Sequence, residues 1–173
     1  MKIDDLFNDI YNKTYNNIFC YILSKCHNLE DIDDIIQNVY TDFYFVLVKK
    51  AKKLENHEAY LMQITKNKIF KYYTFKNKSN KSKEDTTDDE ILLNIADDFD
   101  IEQTIFEKFT NETIWHETKK LNITTQKILI LYFKADYKIS EIAKCLEMKE
   151  SSVKTKLYRG LNDLKTSLGG ENL

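Results

Sequence analysis

The near absence of proline and glycine constrains the fold of this chain more than any other feature. Its 173 residues include no proline and only three glycines, at positions 160, 169 and 170. β-Hairpins usually need such residues at their turns, whereas helices joined by polar loops do not. The composition therefore predicts an all-α fold, and hydrophobic residues make up 42% of the chain, which is enough for well-packed cores.

The formal net charge of −2 conceals strongly alternating blocks. Residues 1–48 hold three lysines and eight acids, and residues 49–83 hold eleven lysines and two acids. Residues 84–118 then hold one lysine and twelve acids, and residues 119–168 hold eleven bases and five acids. Two basic blocks beside acidic ones favour two nucleic-acid contacts and at least one different partner.

The change from basic to acidic falls in a polar, aperiodic stretch that is typical of a flexible linker. The sequence therefore predicts two small helical domains, 1–76 and 101–168, joined by an acidic flexible linker at 77–100. No apolar run approaches the roughly 20 residues that span a bilayer. Acids also interrupt the apolar positions near the N-terminus, so we expect no signal peptide, no membrane insertion and a cytoplasmic protein.

Residues 138–165 have the spacing of a helix-turn-helix that ends in a basic second helix. Ala143 is small where two helices must cross closely, and Val153 is the apolar residue with which the second helix packs on the first. Glu147 stands where many such motifs have glycine, and a left-handed residue there would be strained, so we expect a turn of different shape. Gly160, within the second helix, is expected to cost about 1 kcal/mol relative to alanine.

The opposite face of this second helix carries cations and hydroxyls that suit phosphate oxygens and base edges in a major groove. A merely solvated face is the alternative, but here charge, hydroxyl groups and motif spacing coincide. The predicted DNA-binding residues are Lys149, Ser151, Ser152, Lys154, Thr155, Lys156, Tyr158 and Arg159.

Three amphipathic helices are predicted before the linker. Asn28 is expected to cap the second and Asn56 the third, because an asparagine oxygen can accept from free amides of the first turn. On the second helix, polar residues fall together opposite the apolar side, an arrangement that often means only a solvated face. These residues are Asp33, Asp34, Gln37 and Thr41.

The third helix combines lysines with aromatic residues. Lys66, Lys68 and Lys71 are predicted at or near its outside, and we interpret Tyr60 as a core aromatic. Lysines interleaved with aromatics can follow a phosphate backbone and stack the bases of a single strand.

Three segments of the chain resemble successive parts of bacterial sigma factors. Residues 29–47 (LEDIDDIIQNVYTDFYFVL) resemble the polymerase-binding helix, and residues 59–73 (AYLMQITKNKIFKYY) resemble the part that follows it. Residues 121–133 (LNITTQKILILYF), with the helix-turn-helix, resemble the last sigma domain. Their order is that of the small extracytoplasmic-function (ECF, group IV) subgroup. The departures are Tyr60 in place of tryptophan, Asn122 in place of proline and Gly160 in place of alanine.

The resemblance implies a sigma factor that binds core RNA polymerase and directs promoter recognition and transcription initiation. The four polar residues of the second helix would dock on the clamp of the large polymerase subunit. The basic second helix of the helix-turn-helix would bind the minus-thirty-five element, with Ser151 or Ser152 as its cap. A cognate anti-sigma factor is a further implied partner. The minus-ten element would be contacted by Asn56, His57, Lys66, Asn67, Lys68 and Lys71.

The sequence contains no competing catalytic pattern. Its three histidines are scattered, it has no glycine-rich phosphate loop, and its three cysteines lack the close pairing of a zinc site. We therefore expect neither catalysis nor a cofactor nor a metal. Two other hypotheses stay open. One is a conventional helix-turn-helix regulator that binds duplex DNA without polymerase, and the other is a sigma-like adaptor that occupies polymerase with little promoter selectivity.

Overall fold

The computed structural model describes residues 2–50, 54, 56–79 and 112–168. Within these ranges every regular element is helical and no strand occurs, so the predicted all-α fold is confirmed. The chain divides into two compact units, Met1–Thr86 and Thr87–Leu173. No helix in the described ranges has the length and apolar character needed to cross a membrane.

The described part of the first unit is built from three long helices. These are α1 (Ile3–Lys25), α2 (Ile32–Lys50) and α3 (His57–Ser79), with a 3-10 turn at Leu29–Asp31 before α2. Helix α3 thus extends beyond residue 76, the predicted end of the first domain. Residues 80–100, the rest of the predicted linker, lie outside the described residues.

Both predicted asparagine caps are present. The side-chain oxygen of Asn28 accepts a hydrogen bond from the amide of Glu30 at 3.4 Å, at the start of the 3-10 turn. The side-chain oxygen of Asn56 accepts from the amide of Ala59 at 2.9 Å. Each cap satisfies an amide that has no partner within its own helix, which sets where the helix begins.

The core of the first unit forms where the three helices meet, and the apolar stripes of the sequence face it. Tyr60 was predicted to be a core residue, and that prediction is wrong because its side chain is 38% exposed. It precedes the fully buried Leu61, and one residue along an α-helix turns the side chain by about 100°. The largest fully buried side chains of this unit are Ile18, Ile22, Leu23, Phe43, Leu47 and Leu61.

Tyrosine hydroxyl groups tie the three helices together. The Tyr72 hydroxyl on α3 donates to Asp31 Oδ2 at 2.5 Å, and the neighbouring Tyr73 hydroxyl donates to the backbone oxygen of Lys25. The Tyr40 hydroxyl lies 3.0 Å from Thr14 Oγ1. Burial raises the pKa of Tyr40 to about 12, so this group keeps its proton at neutral pH.

The described part of the second unit consists of shorter helices followed by one long helix. In chain order these are α4 (Glu112–Thr118), α5 (Ile123–Leu129), α6 (Ile139–Cys145) and α7 (Glu150–Ser167). Helix α5 continues directly into a π-helical segment, Ile130–Lys134.

The helix-turn-helix of the second unit packs as its spacing predicts. Ala143 of α6 and Val153 of α7 are both buried. Helix α5 begins at the cap Asn122, whose side-chain oxygen accepts from the amide of Thr125 at 2.9 Å. The sigma-factor resemblance would place a proline near this point. Asparagine as a cap and proline at the first helical position both favour the start of a helix, so Asn122 can replace the proline in this role. The remaining core of this unit includes Ile128, Leu129, Leu131, Ile142, Leu157, Leu161 and Leu164.

Gly160 lies where α7 packs tightly against α5. A Cβ atom added to Gly160 would lie only 2.5 Å from Thr125 Cγ2, well inside van der Waals contact. The intrinsic preference of helices for alanine over glycine is about 1 kcal/mol, which is smaller than the cost of such an overlap in a packed core. Packing therefore reverses the effect that helix propensity alone predicts for alanine at this position.

We predict that Gly160→Ala lowers the free energy of unfolding by about 1–3 kcal/mol, because the new methyl group forces α5 and α7 apart. Urea unfolding of the full chain, followed by circular dichroism, measures the change. Removing the opposing methyl with Thr125→Ala in the same chain should recover part of the loss. A strictly additive double variant, or a single Gly160→Ala variant that is more stable than wild type, would contradict this contact.

Candidate nucleic-acid and partner-binding surfaces

Four polar residues form one exposed stripe on α2, which we call the acidic stripe: Asp33, Asp34, Gln37 and Thr41. All four side chains are exposed, and they lie opposite the fully buried Val39 and Phe43. The stripe is about 12 Å long, from a rise of 1.5 Å per residue. Two carboxylates and an amide on an exposed helix face are suited to a basic partner surface.

Asp31, at the start of the same acidic segment, has a different role. Its Oδ2 atom accepts hydrogen bonds from the Tyr72 hydroxyl at 2.5 Å and from Asn28 Nδ2 at 2.9 Å. These contacts join α3 to the turn before α2, so the Asp31 carboxylate is engaged in contacts within the domain. The local acid-rich sequence therefore divides into a structural aspartate and the two exposed aspartates of the stripe.

Helix α3 presents a basic surface, which we call the outer face of α3: Gln63, Lys66, Asn67, Phe70, Lys71 and Thr74. These residues recur at intervals of three and four and are all exposed. Gln63 Nε2 donates to Asn67 Oδ1 at 3.1 Å, which orients the asparagine amide. Gln63 was not among the predicted DNA-binding residues, although its spacing of four from Asn67 places both residues on one helix face.

The structure does not gather all the predicted minus-ten residues on this face. Lys68 Nζ forms an ion pair with Asp42 Oδ2 of α2 at 2.8 Å, which links two helices of the first unit. Asn56 uses its side-chain oxygen as the α3 cap. Within the described residues, His57 Nε2 is buried and has no hydrogen-bond partner, so this atom does not face outward. Lys66, Asn67 and Lys71 remain together on the outer face.

Helix α7 presents the predicted cations and hydroxyls on the side opposite its buried leucines. Lys149, Ser151, Lys154 and Arg159 are exposed. The Lys154 ammonium group lies 5.8 Å from the centroid of the Tyr158 ring, a distance at which a cation is attracted to an aromatic face. The half-buried members of the set are Ser152, Thr155, Lys156 and Tyr158.

The expected serine cap of this helix is wrong. Helix α7 begins at Glu150, and its N-cap residue is Lys149, which makes no capping hydrogen bond with its side chain. Ser151 and Ser152 therefore lie inside the first turn, where a hydroxyl cannot reach the position of a cap. The backbone oxygen of Ser151 instead accepts from the Thr155 hydroxyl at 2.9 Å.

The turn between α6 and α7 has a left-handed residue after all. Glu147 has φ of 56°, so the expectation of a differently shaped turn is wrong. The amide of Leu146 donates to the Ile142 oxygen at 2.9 Å, and that of Met148 donates to the Ala143 oxygen at 2.9 Å. A left-handed conformation costs a non-glycine residue about 1–2 kcal/mol, which these turn hydrogen bonds and the α6–α7 packing offset.

The second unit also matches a known protein family. Residues 112–164, which span α4 to most of α7, match the family described as sigma-70, region 4. The match includes the turn and all the predicted DNA-binding residues of α7. No curated protein matches the chain.

Two solved structures are similar to the chain over most of its length. One is the sigma factor RpoE from Bartonella quintana, crystallised with the anti-sigma factor NepR; it is 14% identical, with 95% of this chain and 98% of that chain covered and a TM-score of 0.44. The other is a chain of the RsbN–BldN complex, also 14% identical, with 96% and 99% covered and a TM-score of 0.36. Both TM-scores are below 0.5, so the assignment of residues 112–164 depends on the family match.

Proposed function

We propose that this chain, in which residues 112–164 match the family described as sigma-70, region 4, is a sigma factor of the extracytoplasmic-function type. In this role it binds core RNA polymerase, brings it to a promoter and helps to open the DNA strands. The observation that carries the proposal is that the region 4 match coincides with a packed helix-turn-helix whose α7 exposes cations and hydroxyls.

Helix α7 is proposed to read the minus-thirty-five element as duplex DNA. Lys149, Lys154 and Arg159 are exposed and can neutralise phosphate groups, while Ser151 and Thr155 offer hydroxyl groups on the same side of the helix. The buried series from Val153 to Leu164 holds this side outward. A helix presented in this way by a preceding helix and turn is the arrangement that enters a major groove.

The first unit is proposed to bind the minus-ten element. On the outer face of α3, Lys66 and Lys71 supply positive charge and Asn67 supplies an oriented amide. Such a surface can follow one strand once the duplex opens. Lys68, His57 and Asn56 are proposed to act from the edge of this surface, because each is already partly engaged within the domain. Lys68 pairs with Asp42, His57 Nε2 is buried, and Asn56 caps α3.

The acidic stripe is proposed to bind the clamp of the large polymerase subunit, which the sigma-factor resemblance implies is basic. Its support is the exposure of all four residues in one row on a helix of a DNA-binding protein. Negative charge at that place would oppose DNA binding, so a protein partner explains it better.

The proposed function also implies a setting and a regulator. Recruitment and strand opening need no covalent chemistry by this chain, so we propose that it is not an enzyme. We propose that it acts in the cytoplasm, because that is where bacterial RNA polymerase and promoter DNA are found. Small sigma factors of this type are commonly held inactive by a cognate anti-sigma factor, and we propose such a partner here.

In vitro transcription tests the proposal directly. Fragmented DNA of the source genome is transcribed by core RNA polymerase with and without the protein, and the new 5′ ends are sequenced. We expect new start sites that share two spaced upstream motifs. Polymerase binding without new starts would favour a sigma-like adaptor, and duplex binding without polymerase binding would favour a conventional helix-turn-helix regulator.

We predict that Asp33→Lys with Asp34→Lys weakens binding to core polymerase by roughly 100-fold or more, because it places like charges against a basic surface. Titration of labelled protein with core polymerase measures the affinity, and circular dichroism verifies the fold. The matched control is Asp5→Lys with Asp9→Lys, which makes the same charge change at exposed positions of α1. Equal affinity of the stripe variant and wild type would remove the stripe from the polymerase interface.

We predict that Lys154→Ala weakens promoter binding by the holoenzyme at every salt concentration. It should also reduce the slope of log affinity against log salt by about one unit, because one fewer phosphate is neutralised. Lys120→Ala is the control, since Lys120 pairs with Glu117 and lies outside α7. An unchanged slope for Lys154→Ala would exclude a phosphate contact at this position.

A further inference from the structure

Two polar contacts connect α3 to the chain segment that carries the acidic stripe. The Tyr72 hydroxyl donates to Asp31 Oδ2 at 2.5 Å, and Lys68 Nζ pairs with Asp42 Oδ2 at 2.8 Å. Asp31 lies two residues before the first residue of the stripe, and Asp42 lies one residue after the last. The surface proposed to bind polymerase therefore has a contact to α3 at each end.

On α3, the same two contacts adjoin the outer face. Asn67 immediately precedes Lys68, and Lys71 immediately precedes Tyr72. One residue along an α-helix turns the side-chain direction by about 100°. Lys68 and Tyr72 are accordingly half-buried against the rest of the unit, whereas Asn67 and Lys71 are exposed. A rotation of α3 about its axis would break both contacts and move the residues proposed to bind the opened strand.

These polar contacts are directional in a way that burial of apolar surface is not. Buried side chains of α2 and α3, such as Phe43 and Leu61, gain free energy from leaving water whatever the direction of their neighbours. A hydrogen bond instead requires particular atoms to meet, and it weakens steeply when its angle is bent. The two contacts therefore favour one rotation of α3 relative to α2.

The rotation of α3 matters because the first unit is proposed to bind two partners at once. The acidic stripe binds polymerase while the outer face of α3 follows one DNA strand, and a single complex contains both. The path of the strand is then fixed relative to polymerase, so an outer face that is turned away cannot follow it. Binding groups generally need supporting contacts that hold them within about 0.5 Å of the productive geometry.

We propose that Lys68 and Tyr72 are positioning residues, which hold the outer face of α3 at a fixed angle to the acidic stripe so that one complex can engage both surfaces. The inference rests on the proposed function and specifies how Lys68 acts there, which is through Asp42 and without a phosphate contact of its own. It also adds Tyr72, which lies outside the predicted minus-ten set.

Asp42→Asn tests the ion pair without altering Lys68. The assay measures binding of the holoenzyme to a promoter fragment that is unpaired at the minus-ten element. We expect binding to weaken by about two- to five-fold, the effect of losing an exposed ion pair, with unchanged affinity for core polymerase. If Lys68 were a phosphate ligand, the same change would release it from Asp42. Binding equal to or tighter than wild type would therefore overturn the inference.

Exchange of the two charges separates positioning from phosphate binding in a second way. Lys68→Asp alone places two carboxylates together and should weaken binding more than Asp42→Asn does. Lys68→Asp with Asp42→Lys restores an ion pair between α2 and α3, so its binding of the unpaired fragment should return to within about two-fold of wild type. An exchanged variant as weak as Lys68→Asp alone would assign Lys68 to the DNA and overturn the inference.

Tyr72→Phe tests the hydrogen bond. It removes the hydroxyl group and leaves Asp31 Oδ2 with its hydrogen bond from Asn28 Nδ2. We expect binding of the unpaired fragment to weaken by roughly ten-fold, because the lost hydrogen bond has a charged acceptor. Affinity for core polymerase should stay unchanged. Binding of the fragment equal to that of wild type would remove Tyr72 from this role.

Two control variants lose contacts of the same chemistry that do not involve α3. Tyr44→Phe removes a hydroxyl group that donates to Asp4 Oδ1 at 3.0 Å, between α2 and α1. Asp9→Asn removes the ion pair with Lys13, which lies within α1. Both controls should bind the unpaired fragment as wild type does. Equal weakening by the controls would indicate a general loss of stability and overturn the inference.

Two further measurements separate the other outcomes. Affinity for core polymerase is measured for every variant, and circular dichroism verifies the fold. A fall in polymerase affinity that accounts for the weaker DNA binding would assign the residues to the polymerase interface, which overturns the inference and leaves the proposed function intact. Wild-type holoenzyme that binds the unpaired promoter no better than core polymerase does would overturn the proposed function, and the inference with it.

Discussion

Burial of one side of each long helix is the constraint on which every proposed binding surface depends. Helix α2 buries Val39 and Phe43, α3 buries Leu61 and Thr65, and α7 buries the leucines that follow Val153. Because an α-helix places residues three and four apart on the same side, this burial leaves the opposite side of each helix outward. The acidic stripe, the outer face of α3 and the basic side of α7 are those opposite sides.

Polar contacts within the first unit then separate structural charges from exposed ones. Asp31 accepts from Tyr72, and Asp42 pairs with Lys68, so both acids hold α3 against the rest of the domain. Asp33 and Asp34, which are close to Asp31 in sequence, point outward. The short acidic segment and the lysine-rich helix therefore provide both contacts within the domain and exposed charges. The reason is that different sides of a helix face different environments.

Close helix packing in the second unit explains two residues that depart from common patterns. Gly160 is required by the approach of Thr125 in α5, although glycine is a poor helix former. Glu147 adopts a left-handed conformation without being glycine, held by the backbone hydrogen bonds of the α6–α7 turn. A helix contact at Gly160 and the turn hydrogen bonds around Glu147 each outweigh a single-residue preference of about 1–2 kcal/mol, so residue preference alone predicts neither position correctly.

The sequence by itself determined the helical fold, the helix-turn-helix, the asparagine caps Asn28 and Asn56, and the exposure of the acidic stripe. These features depend on periodicity and on contacts within a few residues, which are legible along the chain. Only the tertiary structure decided that Lys68 pairs with Asp42, that His57 Nε2 is buried and that Phe70 is exposed among lysines. The reason is that these properties depend on which helix lies beside which, and two helices distant in sequence meet only when the domain packs.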